Sequence, residues 1–186
     1  MQILAGKFKG QRLQSTTSPG VRPTARRMRE SLFEFLGSRI EDARFLDLCC
    51  GSGSVGIEAL SRGAAHTTFV DHSAMMCNFV KTNLETCNVP YGQFEVVENE
   101  VTPFLKNAAL DQDRYWDVVF FDPPYAAEYI PVIELLSNKE LIKKKKGVLV
   151  VEHAVATELS NAFSVLHRWR IVRHGDSCLS FYERKK

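Results

Sequence analysis

The sequence predicts an α/β protein built on a mostly parallel sheet, with a C-terminal antiparallel hairpin and a small N-terminal β-arm followed by a helix. From residue 45 onward, short β-branched and aromatic runs alternate with stretches whose apolar residues recur at helical spacing. This alternation is typical of parallel strands joined by crossover helices. Near the end, two apolar runs are separated by four residues, too few for a crossover helix, so they must pair antiparallel.

The elements follow from this pattern in chain order. Residues 1–20 alternate loosely between glycine breakers, which indicates a hairpin or arm. Arg22-Pro23-Thr24 offers an N-cap for a helix ending near Gly37. The predicted strands of the sheet are Phe45–Cys49, Thr67–Asp71, Phe94–Val97, Val118–Asp122 and Val148–Glu152. The predicted helices are Val55–Arg62, Ser73–Cys87 capped by Ser73, Thr102–Ala109, Ile130–Ser137 and Ala156–Leu166, and the hairpin strands are Trp169–Arg173 and Cys178–Glu183.

Length and composition set the broad class. The 186 residues, 45% of them hydrophobic, suffice for one well-buried core, so we expect a single domain spanning residues 1–186. The five cysteines form no Cys-x-x-Cys pair and read as small core hydrophobes in a reducing compartment. Neither cysteine nor histidine shows metal-ligand spacing, so we expect no metal. The sequence contains no stretch of membrane-spanning length and no signal peptide, which favours the cytoplasm and no membrane contact.

Basic residues are concentrated at both ends of the chain. The net charge is only +2, yet the first acidic residue is Glu30. The basic residues before it are Lys7, Lys9, Arg12, Arg22, Arg26, Arg27 and Arg29. A second cluster contains Arg168, Arg170, Arg173, Arg184, Lys185 and Lys186. This asymmetry indicates either a polyanionic partner or a solvated basic surface, and the two readings stay open at this point.

A glycine-rich turn follows the first strand of the sheet. The run begins at Asp47 and places glycines at Gly51, Gly53 and Gly56, where the backbone can turn tightly and approach a ligand at a helix N-terminus. The next strand ends in Asp71, about 20 residues downstream, where a carboxylate can accept two ribose hydroxyls. This spacing suits NAD and S-adenosylmethionine equally. The third strand ends in Glu98-Asn99-Glu100, where a carboxylate, more plausibly that of Glu100, could accept from an adenine amine.

Asp122-Pro123-Pro124-Tyr125 separates the two cofactors. The prolines stop both ladder pairing and an immediate helix, so the chain leaves the strand stiff, with free carbonyls. A carboxylate and the Pro123 carbonyl can hold the two hydrogens of a planar amine and stabilise the charge that develops when it attacks a methyl group. Tyr125 can stack on a flipped base. With the terminal hairpin, which departs from the dinucleotide-binding fold, this favours a class I, Rossmann-like S-adenosylmethionine-dependent methyltransferase.

The residues alone leave several functions open. Methyl transfer could be directed to an adenine of DNA or RNA, to a guanine or cytosine, or to a glutamine side chain. A non-catalytic S-adenosylmethionine-binding RNA protein would share the fold, although the intact tetrapeptide argues against it. An NAD-dependent dehydrogenase would need a hydride-transfer site, and the sequence offers no convincing one.

The motifs together resemble the RsmD family, which methylates guanine N2 in 16S ribosomal RNA. The likeness covers nearly the whole chain. Its most specific parts are the N-terminal Gly6-Lys7-Phe8-Lys9-Gly10, Arg22-Pro23-Thr24 and Arg29-Glu30-Ser31-Leu32-Phe33, and the helix Gly56-Ile57-Glu58-Ala59-Leu60-Ser61-Arg62-Gly63-Ala64. The glycine turn, Asp122-Pro123-Pro124-Tyr125 and the Phe181-Tyr182-Glu183 hairpin strand continue it. Cys49-Cys50 stands where Phe-Ala is more usual, Asp71 where Glu is commoner, and Glu100 where Asp is commoner.

The resemblance implies a set of residue roles. It implies an rRNA (guanine-N2-)-methyltransferase that uses S-adenosylmethionine and acts on 16S rRNA or the assembling small ribosomal subunit; we expect a monomer. The expected cofactor-binding residues are Asp47, Gly51, Gly53, Asp71, Glu100 and Asp122. The expected catalytic residues are Asp122, Pro123 and Tyr125. Residues 1–40 would form an RNA-binding extension, and the expected RNA contacts are Lys7, Lys9, Arg12, Arg22, Arg26 and Arg29.

Overall fold

The computed structural model describes residues 1–15, 23–124 and 128–184. The helices in these ranges are α1 (Pro23–Leu36), α2 (Ser54–Ser61), α3 (Ala74–Thr86), α4 (Val101–Ala108) and α5 (Tyr129–Asn138). The strands are β1 (Arg44–Leu48), β2 (His66–Asp71), β3 (Phe94–Glu98), β4 (Val118–Phe121), β5 (Val148–Ala154), β6 (Ala162–Phe163), β7 (Leu166–His174) and β8 (Ser177–Arg184). None of these helices combines the length and hydropathy that a membrane span needs.

All eight strands belong to one sheet, in the order β3-β2-β1-β4-β5-β8-β7-β6. Strands β1 to β5 run parallel, while β8 pairs antiparallel with both β5 and β7. The predicted fold class is therefore confirmed, including the terminal hairpin. The chain builds outward from β1 through β2 and β3, then returns to place β4 on the other side of β1. The carboxyl ends of β1 and β4 thus flank a topological switch point, the usual ligand position in such sheets.

Helices cover both faces of the sheet. Leu32 of α1, Ile57 of α2 and Val80 of α3 pack in one core cluster with sheet residues such as Phe120. The α4 and α5 side chains pack in a second cluster, which takes the alternate positions of β4, including Phe121. Each buried side chain of this size contributes about 1.5–3 kcal/mol, so the strand ends above these clusters are held in fixed positions.

The helix predicted for Ala156–Leu166 is wrong. This segment contains a turn in which the Thr157 N–H donates to the Ala154 carbonyl at 2.9 Å, and then the short edge strand β6. The helix-like spacing of Leu159, Phe163 and Leu166 misled the prediction. These residues are indeed buried in the second core cluster, but they lie in a loop and at the strands β6 and β7 rather than in a helix. Side chains supply the missing partners, since the Ser137 hydroxyl donates to the Phe163 carbonyl at 2.6 Å.

The N-terminal arm closes on itself and docks on α2. Gln2 and Arg12 form an antiparallel bridge, and the Gly10 N–H donates to the Ile3 carbonyl at 3.0 Å. This confirms a hairpin-like arm for residues 1–15, although regular strands do not form. The fully buried Glu58 of α2 accepts hydrogen bonds from the Leu4 and Ala5 N–H groups at 2.8 and 3.0 Å.

Ser61 and Gly6 complete this contact. The Ser61 hydroxyl donates to the Ala5 carbonyl at 2.5 Å and accepts from the Phe8 N–H at 2.9 Å. Gly6 has φ +80°, and a Cβ there would lie 1.8 Å from the Ser61 carbonyl oxygen. Glu58 and Ser61 of α2 therefore hold the N-terminal arm against this helix through hydrogen bonds to its backbone.

Candidate active site

Four carboxylates meet at the carboxyl edge of the parallel strands. Asp47 lies in β1, Asp71 ends β2, Asp122 follows β4 and Glu152 lies in β5. Alternation along each strand directs all four toward the sheet face covered by α1, α2 and α3. Such a concentration of negative charge suits a ligand that carries positive charge. Within the described residues, no group of His, Cys, Asp or Glu side chains could hold a metal ion.

The glycine turn depends on backbone conformations that favour glycine. Gly51 has φ +52° and Gly53 has φ +76°, both in the left-handed region. A Cβ at Gly51 would meet open space, whereas one at Gly53 would lie 3.0 Å from a Val80 methyl group. A Cβ at Gly56 would lie 2.3 Å from the Phe69 ring, so the third glycine permits close packing of α2 on β2. Gly51 thus borders open space, while Gly53 and Gly56 allow close packing at the turn.

Asp71 holds the glycine turn from the neighbouring strand. Its Oδ2 accepts the Gly51 N–H at 2.9 Å, and its Oδ1 accepts the Ser73 N–H at 2.9 Å. Ser73 is the N-cap of α3, as predicted, and accepts from the Met76 N–H. Each Asp71 oxygen keeps a free lone pair after these bonds. The carboxylate is therefore fixed in orientation and still able to accept two further donors.

Asp47 lies beneath the turn. It is 1% exposed, and its Oδ2 accepts the Gly56 N–H at 2.8 Å. Burial raises its pKa well above the ordinary value, opposed by the Gly56 hydrogen bond and reinforced by the charges of Asp122 and Asp71. The placement does not support the direct ligand contact predicted for Asp47. Its contribution is to fix the start of α2 under the glycine turn.

A cleft of about 460 Å³ opens beside the turn, within the usual size range of small-molecule sites. The predicted residues on its wall are Asp71, Glu100 and Pro123, and its apolar lining includes Val101 and Phe121. Gly51 and Gly53 do not line it. Glu98 points to solvent at the end of β3 and is also absent from this wall. Of the two glutamates considered from the sequence, only Glu100 is placed to contact a ligand there.

Cys49 is part of the site. It lines the cleft with φ +59°, a left-handed conformation, and is only partly buried. The sequence predicted small core cysteines, and Cys49 and its neighbour Cys50 do pack against the two core clusters, but both are only partly buried. Burial, with the charges of Asp71 and Asp122, raises the pKa of Cys49 to about 12. The thiol therefore stays protonated and serves as an uncharged wall.

Asp122 stands at the junction of two cavities. Strand β4 ends at Phe121, one residue earlier than predicted, and the Asp122 N–H still donates to the Leu48 carbonyl at 3.3 Å. The Asp122 side chain lines a cavity of about 380 Å³ shared with Asp71 and Cys49. It also lines a smaller cavity of about 160 Å³ below α1. Tyr125 lies outside the described residues.

Glu152 is a site residue that the sequence reasoning missed. In the β4–β5 register Phe121 pairs with Val151, so Asp122 and Glu152 occupy the next positions along adjacent parallel strands. Both line the same two cavities. Burial raises the pKa of both carboxyls, and the Asp122 charge raises that of Glu152 further. Its position at the carboxyl end of a parallel strand was the available signal.

The predicted RNA-contact residues in the described part of the chain are exposed, except for Arg29, which is buried. Lys7, Lys9, Arg12 and Arg26 have exposed side chains, with Arg26 paired to Glu30 at 2.9 Å. Arg22 lies outside the described residues.

Arg29 does not support the predicted surface role. It is 6% exposed, donates to the Gln2 carbonyl at 2.6 Å and lies 3.8 Å from Glu58. Burial lowers its pKa. We correct this prediction: Arg29 joins α1 to the N-terminal arm through its bond to Gln2. It also places a positive charge beside the buried Glu58 carboxylate, which would be costly to bury without one.

Comparison with known proteins gives one consistent result. The family described as Conserved hypothetical protein 95 matches residues 1–183. Ribosomal RNA small subunit methyltransferase D from Escherichia coli (strain K12) is 32% identical over 189 residues, covering 100% of this chain and 90% of that protein. The solved structure of yhhF from Escherichia coli has a TM-score of 0.83 and 30% identity, covering 100% of this chain and 98% of that one.

A more distant structure shares the fold alone. The SAM Dependent Methyltransferase from Agrobacterium tumefaciens has a TM-score of 0.65 at 17% identity, covering 94% of this chain and 66% of that one. The sheet with its terminal hairpin is thus that of S-adenosylmethionine-dependent methyltransferases. With the match over residues 1–183, these findings establish that the chain belongs to the Conserved hypothetical protein 95 family, that of the RsmD proteins.

Proposed function

We propose that the protein transfers a methyl group from S-adenosylmethionine to the exocyclic N2 amine of a guanine in 16S ribosomal RNA. The observation that carries the proposal is the position of Asp122, which lines both the cavity of about 380 Å³ that it shares with Asp71 and Cys49 and the cavity below α1. A donor in one cavity and an acceptor in the other would meet at this side chain. Holding two reactants in line is the main requirement for a reaction of this kind.

The cleft residues fit S-adenosylmethionine, which supplies a methyl group already activated by its sulfonium charge. Asp71 would accept the two ribose hydroxyls through the lone pairs left free by Gly51 and Ser73. Glu100 would accept from the adenine amine, and the apolar wall at Val101 would cover the ring. Gly51 leaves open space for the close approach of the cofactor.

The amine would be held by Asp122 and the Pro123 carbonyl. These two acceptors would bind its two hydrogens and favour a pyramidal nitrogen with its lone pair free. As the nitrogen bonds to the methyl carbon, the carbon–sulfur bond breaks and positive charge develops on nitrogen. Asp122 would stabilise that charge and then accept the departing proton or pass it to water. Tyr125 keeps its sequence-based role as the residue that stacks on the base.

The exposed cations of the N-terminal arm would bind the RNA backbone. Lys7, Lys9 and Arg12 of the arm and Arg26 of α1 offer exposed positive charge, and the inner side of α1 borders the smaller cavity. The carboxylate-rich edge repels phosphates, so the arm is the side from which RNA can approach. We expect a monomer acting on 16S rRNA or the assembling small subunit.

The test is Asp122→Ala, compared with Asp113→Ala, an exposed carboxylate that precedes β4 and so lies beyond the opposite end of that strand from Asp122. Methyl incorporation into small subunits from a strain lacking the protein should fall by at least about 100-fold in the first variant. Calorimetry should show S-adenosylmethionine affinity within a few-fold of wild type. Near-normal turnover by Asp122→Ala, with Asp113→Ala as reference, would remove Asp122 from the mechanism.

The substrate is tested by parallel assays on those small subunits, naked 16S rRNA and duplex DNA. The proposal expects transfer to rRNA and none to DNA. Efficient labelling of DNA adenine would replace it with another amino-methyltransferase activity.

A further inference from the structure

We propose that Glu152 is the specificity-determining residue for guanine, accepting the N1–H of the target base while Asp122 accepts from N2. The inference rests on the proposed function and deepens it, because the family motif ends at Tyr125 and assigns nothing in β5. Its basis is the juxtaposition of Glu152 and Asp122 above the small cavity below α1.

Glu152 points into that cavity. In β4 and β5, Phe120 and Val150 face the α1 side of the sheet, and Asp122 and Glu152 lie two residues further along the same face. The cavity wall is otherwise mostly apolar, with Met28, Leu32 and Leu179. A planar base with polar atoms along one edge matches a slot of this kind, apolar at its faces and acidic at one end.

The Glu152 carboxylate has no structural task that would explain it. Asp47 and Asp71 each accept backbone N–H groups of the glycine turn. Glu152 pairs with Leu179 of β8 through the backbone alone, and its side chain has no hydrogen-bond donor or cation in the described part of the chain. A half-buried carboxylate beside a second carboxylate is destabilising unless a ligand supplies donors. The neighbouring carboxylates of Asp122 and Glu152 therefore suit a ligand that carries two adjacent N–H donors.

Guanine is the base that presents such donors. Its Watson–Crick edge carries N1–H beside the N2 amine, so two neighbouring carboxylates can accept from both at once. The N1–H of guanine would stabilise the ionised Glu152 carboxylate against burial, whereas the ring nitrogen lone pair of adenine or cytosine would be repelled by that ionised form. Asp122 and the Pro123 carbonyl would bind any exocyclic amine. Glu152 would then decide which base that amine belongs to.

The alternative cavity occupants are less consistent with these groups. An adenine would place its N1 lone pair against a carboxylate, and a glutamine side chain offers one amide group to two acidic residues. The sole cation that lines the cavity among the described residues, Arg29, directs its terminal nitrogens to Met1 and Gln2. The cavity therefore favours a donor-rich ligand edge at its acidic end.

The test compares guanine with 2-aminopurine at the target position, once mass spectrometry has mapped it. Small subunits are reconstituted with ligated rRNA carrying either base. Both bases have the N2 amine, but 2-aminopurine has a lone pair at N1. Glu152→Gln keeps the size of the side chain and adds an amide N–H that can donate to that lone pair. Glu158→Gln, an exposed glutamate beyond β5, is the matched control.

Wild type and Glu158→Gln should prefer guanine on the order of 10- to 100-fold in kcat/KM. Glu152→Gln should lower the guanine value and raise the 2-aminopurine value, so that the preference falls at least tenfold. A loss of folding would lower both rates together and leave their ratio unchanged, so the ratio reports specificity.

The outcomes separate the two claims. If wild type methylates guanine N2 and Glu152→Gln keeps the same base preference, the role of Glu152 is overturned while the proposed function stands. If wild type methylates no guanine, the proposed function fails and this inference fails with it. A variant with tenfold or greater loss of preference supports both.

Discussion

The Asp71 carboxylate accepts the Gly51 N–H at 2.9 Å across two parallel strands, and this bond couples the glycine turn to the end of β2. The same carboxylate caps the backbone at Ser73, where α3 begins. One side chain therefore sets the position of two elements of the candidate cofactor site. Asp71 is a structural support as well as the proposed ribose contact.

Asp71→Asn should weaken S-adenosylmethionine binding by about tenfold or more. An amide has one acceptor oxygen, so one of the two backbone N–H groups loses its partner and one ribose hydroxyl loses its acceptor. Calorimetry measures the affinity, and Asp113→Asn, on an exposed turn, is the control. Equal affinities in Asp71→Asn and wild type would exclude Asp71 from the site.

Gly6→Ala should destabilise the protein far more than Gly37→Ala. Both glycines have positive φ, +80° and +52°, so both substitutions carry the left-handed cost of about 1–2 kcal/mol. A Cβ at Gly37 meets nothing within 4 Å, whereas one at Gly6 overlaps the Ser61 carbonyl. The overlap in Gly6→Ala should therefore cost about 2 kcal/mol more than Gly37→Ala costs. Urea denaturation measures both, and equal losses would show that the arm does not dock on α2.

Stability should fall with rising pH in part because of Glu152, and Glu152→Gln should make this fall less steep. The pKa of Glu152 is raised by burial and by Asp122 from 4.5 to about 8. The folded state therefore binds the proton more tightly than the unfolded state. Its stabilising contribution is complete below the unfolded pKa and is lost as pH rises through the folded pKa.

Thermal unfolding of both proteins, measured over the pH interval from 4.5 to about 8, tests this effect. The cavities holding Glu152 also contain Asp122, Asp71, His72 and Arg29, which are retained in both proteins. The difference between wild type and Glu152→Gln therefore reports the Glu152 carboxyl together with its interaction with Asp122. Parallel pH profiles for the two proteins would contradict the raised pKa.

Lys9→Ala combined with Arg12→Ala should make RNA binding less dependent on salt. Each phosphate contact on single-stranded RNA contributes about 0.7 to the slope of log K against log salt, so removing two should reduce the slope by about 1.4. Lys139→Ala with Lys145→Ala, two exposed cations beside β5, is the charge-matched control. An unchanged slope in the arm variant would place the RNA surface elsewhere.

Arg29→Ala should behave differently from these surface variants. Removing a buried cation leaves Glu58 with one fewer positive neighbour, a change that costs about 3–5 kcal/mol for buried pairs. We expect a large loss of stability in urea denaturation. Preserved stability together with a smaller salt slope would restore Arg29 as an RNA contact.

Local patterns in the sequence were sufficient for most of the sheet. Strands β1 to β5 end within two residues of their predicted ends, because buried β-branched runs followed by Gly, Pro or acidic residues are local signals. The segment after β5 could not be read this way. Leu159 and Phe163 have helical spacing, but distant partners fix the path of this segment: the Tyr182 hydroxyl donates to the Ser160 carbonyl, and the Ser137 hydroxyl donates to the Phe163 carbonyl.

The site was predictable where one strand carried its own motif. Asp71, Glu100 and Asp122 each lie within two residues of the end of a strand, and all three line cavities at the carboxyl edge. Glu152 was missed because its significance depends on the register of β5 against β4, which no local pattern contains. Arg29 was misassigned for a similar reason, since its burial depends on a contact between α1 and residues 27 positions earlier.

The most direct test of the account is the identity of the methylated nucleoside. Purified protein is incubated with tritiated S-adenosylmethionine and small subunits from a strain lacking it, and the digested rRNA is analysed by mass spectrometry. The account predicts label in N2-methylguanosine at one position with wild type and none with Asp122→Ala. Label in N6-methyladenosine, or equal N2-methylguanosine from both proteins, would contradict it.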